Sequence, residues 1–96
     1  MLILITYDVN TTFPEGRRRL SKIAKCCCNY GQRVQNSVFE CSLDNAQYVL
    51  VKNQLIGIMD KNKDSLRFYN LGNKYLSKLE QYGVKKSYDP EGELIL

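Results

Sequence analysis

Histidine does not occur among the 96 residues, and this absence removes more chemistry than any other in the chain. Imidazole-based triads, His-ligated zinc and the usual general base near neutral pH are excluded, so any hydrolysis must find its base elsewhere. No apolar run reaches the ~18 residues that would span a bilayer. The N-terminus also lacks the basic-then-apolar order and small-residue cleavage site of a signal peptide, so a cytoplasmic protein without membrane contact is expected. C-x-x-C pairs are absent too. The four cysteines, Cys26, Cys27, Cys28 and Cys41, look at first like a metal or disulfide set. Three in a row on a helix point about 100° apart, however, and cannot converge on one tetrahedral ion. They read as reduced packing residues. Internal repeats, low-complexity segments and a second domain are missing as well, which leaves residues 1–96 as one small domain with an adequate but not generous core. A partner chain would help such a core.

What is present is an uneven charge. The net charge is +4, and residues 1–35 hold six basic side chains (Arg17, Arg18, Arg19, Lys22, Lys25, Arg33) against Asp8 and Glu15, while the remainder balances eight against eight. Such clustering suits a polyanionic partner, and a solvated helix face equally.

The chain opens on MLILITYDVN, five aliphatic residues followed by Thr6, Tyr7 and Asp8. So apolar a run predicts a strand buried on both faces, with whatever lies at its carboxyl end held firmly by the core. Asp8 is then either a turn former or a site. Asn10-Thr11-Thr12 reads as loop and cap, Pro14 suits an early helical position and Glu15 the first turn, so a helix is expected to about Cys28. Its apolar stripe is Leu20, Ile23, Ala24 and Cys27, with Arg18, Lys22 and Lys25 opposite and Arg17 and Arg19 on the flanks. Residues 32–43 read as extended, either one bent strand or two short ones broken near Asn36-Ser37. Asp44 with Gln47 resembles a capping box, and Tyr48, Val51, Leu55, Ile58 and Met59 make the stripe of a second helix. DKNKD, residues 60–64, is a turn. SLRFYNLG alternates, with Leu66, Phe68 and Asn70 on one side and Arg67, Tyr69 and Leu71 on the other. A further strand is expected near Tyr75 to Gln81, and Leu94-Ile95-Leu96 is an apolar tip suited to a sheet edge or a partner. This order predicts an α+β sandwich of the ferredoxin-like βαββαβ kind with an extra C-terminal strand. That fold by itself is silent about function.

Taken in order, ITYDV, EGRRRLSKIAK, YGQRVQNSVFEC, DSLRFYNLG and a tail ending in YDPEGELIL make the chain resemble the CRISPR-associated protein two family over nearly its whole length. The tail points to the branch linked to type I-C systems. The resemblance implies a cytoplasmic homodimer of ferredoxin-like domains working in CRISPR adaptation, held between copies of the CRISPR-associated integrase and supporting protospacer DNA. It also implies metal-dependent endonuclease activity, with Mg²⁺ or Mn²⁺, on RNA or double-stranded DNA. The family's acidic site residue carries over onto Asp8, as catalytic residue and metal ligand. Its C-terminal strand, here near Tyr75 to Gln81 within the 75–96 tail, pairs with the sheet of the other subunit.

One carboxylate is a poor Mg²⁺ site, because that ion wants octahedral oxygen coordination. Two copies of Asp8 facing across an isologous two-fold interface, completed by water and a phosphate, could hold one shared ion and support hydrolysis without histidine. Against this stands an ordinary Asx-type turn role for Asp8, since Val-Asn-Thr-Thr follows it. Tyr7, Ser37 and Phe39 read as packing residues or as supports of the site, which Tyr7 and Ser37 could touch although nothing in their spacing compels it. Arg17, Arg18, Arg19, Lys22 and Lys25 are the candidate nucleic-acid contacts, because phosphate binding needs only basic density on one face. The reading favoured is an adaptation subunit, architectural first and nucleolytic second. The alternative is a non-catalytic ferredoxin-like RNA-binding module, which would want Phe39 and Phe68 as exposed stacking aromatics on the sheet.

Overall fold

The first strand alternates in its burial. In the computed structural model, which describes residues 1–83, β1 (Leu2–Asp8) sets Ile3, Ile5 and Tyr7 into the core while Leu4 and Thr6 are half-buried on the other face and Asp8 is exposed. Burial on both faces, expected from the apolar run, holds at Leu2, which is buried although it faces away from Ile3 and Ile5, and fades through half-buried Leu4 and Thr6 to exposed Asp8. Both helices pack on the other side of the sheet, so among the described residues this face is the one that no helix covers, called below the uncovered face.

Helix α1 (Pro14–Tyr30) carries Ile23 and Cys27 of the expected stripe into the core and extends two residues past the expected end. Phe13, not a residue of the Asn-Thr-Thr loop, is its N-cap, and it supplies no side-chain hydrogen bond. Strands β2 (Gln32–Gln35) and β3 (Val38–Ser42) settle the open choice in favour of two short strands, broken at Asn36 and Ser37. A side chain at Gly31 would collide with the Glu40 carbonyl and the Cys41 sulfur, so the chain can leave α1 hard against β3 only because that position is glycine.

Helix α2 (Asn45–Ile58) starts with the expected capping box: the Gln47 amide donates to Asp44 Oδ1 at 2.7 Å and the Asp44 amide to Gln47 Oε1 at 3.0 Å. Val51 and Leu55 are buried, and Tyr48, Ile58 and Met59 pack against the core. Strand β4 (Ser65–Gly72) follows the DKNKD turn.

The sheet order is β2-β3-β1-β4, with every neighbouring pair antiparallel. Two helices on one face of such a sheet are the ferredoxin-like arrangement expected from the element order. Register puts Leu4 opposite Tyr69, Thr6 opposite Arg67 and Asp8 opposite Ser65, so these side chains share the uncovered face. Ile3, Ile5, Phe39 and Cys41 point the other way, beneath the helices, where each fully buried aliphatic side chain contributes about 1.5–3 kcal/mol. The stretch expected as a strand near Tyr75 to Gln81 contains a 3₁₀ turn, Tyr75–Lys78, and no strand among its residues. Within one chain this stretch closes local bonds instead, such as that from the Ser77 hydroxyl to the Lys74 carbonyl at 3.0 Å. The tip Leu94-Ile95-Leu96 and the rest of the tail beyond residue 83 lie outside the described residues.

Candidate active site

Asp8 ends β1 at the rim of the sheet, and its carboxylate makes no hydrogen bond or ion pair among the described residues. The turn role that competes with a site role falls on Asn10, whose Oδ1 accepts from the Thr12 amide at 3.0 Å. No described residue takes up the acceptor capacity of the Asp8 carboxylate.

The Asp8 backbone pairs with Ser65, and the loop that follows is held by a second carboxylate. The Asp64 side chain is fully buried and accepts from the Asn10 amide at 3.0 Å, from Arg19 Nε at 2.7 Å and Nη2 at 3.2 Å, and from the Asp60 amide at 2.9 Å. The loop after Asp8, helix α1 and the turn before β4 are thereby tied to one point. The Arg19 guanidinium, helped by the two amides, holds the Asp64 carboxyl down at about 2. Gly16 completes the fixture: a Cβ there would run into the Asn10 carbonyl, so only glycine lets the loop lie against the first turn of α1.

Among the described residues two hollows flank Asp8. One, of about 530 Å³, lies between Asn10–Thr12 and the 61–65 turn and carries Lys61 and Lys63. The other, of about 310 Å³, lies on the uncovered face and is lined by Thr6, Tyr7, Ser65, Arg67 and Tyr69. There Arg67 Nη1 donates to the Tyr69 hydroxyl at 3.3 Å, an interaction that raises the guanidinium's already high pKa. Among the described residues no group of three or more His, Cys, Asp or Glu side chains is gathered closely enough to hold a metal ion. One copy of the chain offers a cation the Asp8 carboxylate and little else.

The comparisons with known proteins agree with one another. The model of the family described as CRISPR associated protein Cas2 matches residues 1–79. The chain is 57% identical over 96 residues to the CRISPR-associated endoribonuclease Cas2 of Chlorobaculum tepidum, covering 100% of both chains. It is 56% identical over 95 residues to the CRISPR-associated endonuclease Cas2 of Halalkalibacterium halodurans, covering 99% of each. The chain belongs to the Cas2 family. Among solved structures, that of Streptococcus pyogenes Cas2 at pH 6.5 matches with a TM-score of 0.75 at 53% identity, over 86% of this chain and 100% of that one.

Within this Cas2-family fold the five basic residues of α1 do not act as one surface. Arg19 is spent on Asp64, with 17% of its side chain exposed. Arg17 Nη1 donates to the Thr11 carbonyl at 3.3 Å, and Arg18 meets Glu15 at 3.6 Å with both side chains well exposed. Lys22 and Lys25 line a groove between α1 and α2 beside Cys26, Asn29, Gln54 and Ile58. Neither hollow beside Asp8 contains any of the five; the cations there are Lys61, Lys63 and Arg67.

Phe39 is buried and stacks on Tyr7 at 6.1 Å, and Phe68 packs against Tyr48 beneath the helices. Neither is the exposed platform that the RNA-binding alternative required, since register turns both inward. Tyr7 is a packing residue, and its hydroxyl donates to the Asn36 carbonyl at 3.2 Å. The cysteines are free thiols; burial pushes Cys27 and Cys41 up to about 12 and keeps them unreactive at neutral pH. Sequence reasoning missed Asp64, Arg67 and Tyr69. The alternation of SLRFYNLG put Arg67 and Tyr69 on one face, but nothing local says that this face is the one Asp8 joins.

Proposed function

We propose that this chain is a nucleic-acid-binding subunit of CRISPR adaptation, working as a homodimer with the CRISPR-associated integrase in the cytoplasm, and that it cleaves phosphodiester bonds at Asp8. The observation that carries the reading is the Asp8 carboxylate: at the end of a strand paired to β4, next to a loop that Asp64 ties down, exposed, and without a partner among the described residues. Its relatives' names, endoribonuclease and endonuclease, give the reaction class and leave RNA and double-stranded DNA both as substrates.

A Mg²⁺ or Mn²⁺ ion shared by two copies of Asp8 across a two-fold axis would polarise the phosphodiester and lower the pKa of a bound water. Ser65, opposite Asp8, and the backbone around the rim add oxygen atoms to that setting. A second copy is favoured by the apolar side chains left on the uncovered face, Leu4, Tyr69 and Leu71, and by the outer edge of β4, which no described strand pairs. Residues 75–96 are assigned to packing on that copy, and the sequence of the tail supports the type I-C branch.

Scaffolding of DNA is the leading role in this reading. Arg17, Arg18, Lys22 and Lys25 supply exposed charge for phosphates, while Arg19 supports the site from inside. The test compares wild type with Asp8→Asn on matched RNA and duplex DNA, with Mg²⁺, Mn²⁺ and chelator. Cleavage is expected to fall at least a hundredfold in Asp8→Asn at unchanged dimerisation and unchanged integration with the integrase. Undiminished cleavage would remove Asp8 from the chemistry, and failed integration in a folded dimer would make the nuclease role the leading one.

A further inference from the structure

We infer that Phe13 is a base-stacking platform for an unpaired nucleotide, and that Lys63 and Lys61 take the phosphates on either side of it. The inference rests on the nuclease reading for the class of ligand, a nucleic acid, and on its own geometry for the site. Phe13 breaks a local rule without a structural compensation. It holds the N-cap of α1 in extended backbone, where a Ser, Thr, Asp or Asn side chain would accept from the first turn, and it makes no such bond. Nor does the ring join the core, since 60% of the residue is exposed. Departures of this kind gather at functional sites. The backbone under the ring is fixed, because the Phe13 carbonyl accepts from the Gly16 amide at 3.0 Å and from the Arg17 amide at 3.4 Å.

Lys63 connects the ring to the hollow beside Asp8. Its ammonium stands over the Phe13 ring, 5.8 Å from the centroid, and it also lines the 530 Å³ hollow that holds Asp8, Thr11, Thr12 and Lys61. The turn that presents both lysines is closed on itself: the Asn62 amide donates to Asp60 Oδ1 at 2.9 Å and the Lys63 amide to the Asp60 carbonyl at 3.0 Å. Neither lysine meets an acidic side chain among the described residues. An exposed ring beside unpaired ammonium groups is the combination that a single strand requires, a π-face for the base and cations for the backbone. In a duplex the base faces are already stacked on one another, so Phe13 adds nothing to its binding. Residues 9–13 follow the end of β1 and residues 60–64 precede β4, so ring and lysines lie clear of the sheet face proposed for the second copy.

The experiment uses the absence of tryptophan from the chain. Phe13→Trp puts a single indole at the platform, and its emission is read while single-stranded RNA, single-stranded DNA and duplex DNA of one sequence are added in chelator. Quenching by a single strand and none by the duplex is expected. Affinity is measured in parallel with end-labelled strands, over a range of salt, for wild type, Phe13→Thr and the double variant Lys61→Gln, Lys63→Gln. Phe13→Thr supplies the missing cap and is expected to melt a few degrees higher, yet to bind single strands about tenfold more weakly at an unchanged salt slope, because a ring neutralises no phosphate. The double lysine variant lowers the slope of log affinity against log salt by about 0.7 for each phosphate no longer neutralised on a single strand. A response to RNA alone or to DNA alone supports the platform and identifies the polymer it serves. Wild-type affinity of Phe13→Thr for single strands, equal quenching of Phe13→Trp by duplex and single strand, or an unchanged slope in the lysine variant overturns the inference. Should Phe13→Thr fail to fold, the quenching of Phe13→Trp decides. Because binding is read in chelator, a failure of the nuclease reading, seen as Asp8-independent cleavage, is told apart from a failure of the platform.

Discussion

Two aspartates at the same rim of the sheet do opposite jobs, and their environments decide which does what. Asp64 is saturated by donors and buried; Asp8 is exposed and left open. The consequence for pH follows from Asp64. Its folded pKa of about 2 lies below the unfolded value of 3.8, so its stabilisation is fully present above pH 4 and is lost as pH falls through about 2. Asp64→Asn is therefore expected to lower stability by about 2–3 kcal/mol at pH 7, the worth of charged hydrogen bonds to a buried acceptor. The deficit should shrink toward pH 2, and thermal melts of both proteins across that range measure it. A deficit that stayed constant with pH would mean that the Asp64 charge contributes nothing.

At the scale of elements, the two helices begin differently. Helix α2 is capped by Asp44 and Gln47, whereas α1 starts from Phe13 without a side-chain cap and depends on Pro14, Glu15 and the packing of Gly16 under the Asn10 loop. Removing the cap of α2 with Asp44→Ala should cost about 1 kcal/mol, measurable by urea unfolding with an unchanged denaturant slope. Val51 and Leu55 anchor α2 in the core, so the helix is expected to survive the change with a frayed first turn. Amide exchange at residues 45–48 would show the fraying, and unaltered protection there would contradict it. Both features of α2 were legible in the sequence because spacings of three and four residues are fixed by the helix itself. The alternation of β4 was legible for the same reason, through the two-residue period of a strand.

For the whole molecule the open questions are the second copy and the polyanion. A dimer bound to duplex DNA through the exposed side chains Arg18, Lys22 and Lys25 should lose affinity steeply with salt. Each of these cations neutralised in every chain should lower the log–log slope by roughly two per dimer, at about 0.9 per phosphate. Arg19→Gln should behave otherwise, lowering the melting temperature through Asp64 more than the salt slope. An equal slope change for Arg19 and Lys22 would break the division between supporting and binding cations. Deleting residues 75–96 should convert the proposed dimer into a less stable monomer by light scattering, and a dimer that persists would assign the proposed interface to the sheet face alone.

The sequence by itself determined the element types from β1 to β4, the cap of α2, the absence of imidazole chemistry and the family resemblance, while the strand expected near Tyr75 to Gln81 proved a 3₁₀ turn. These rest on local periodicity, composition and short motifs, which the covalent geometry of the backbone imposes wherever the chain goes. Only the tertiary structure decided which carboxylate is locked and which is free, because Asn10 and Arg19 reach Asp64 from 54 and 45 residues away. It also decided that Arg19 leaves the basic surface, that Phe39 and Phe68 turn under the helices, and that Arg67 and Tyr69 join Asp8. A one-residue slip of β4 against β1 would exchange every one of those β4 side chains to the other face, and register of that kind is set by the whole core rather than by any segment of the sequence.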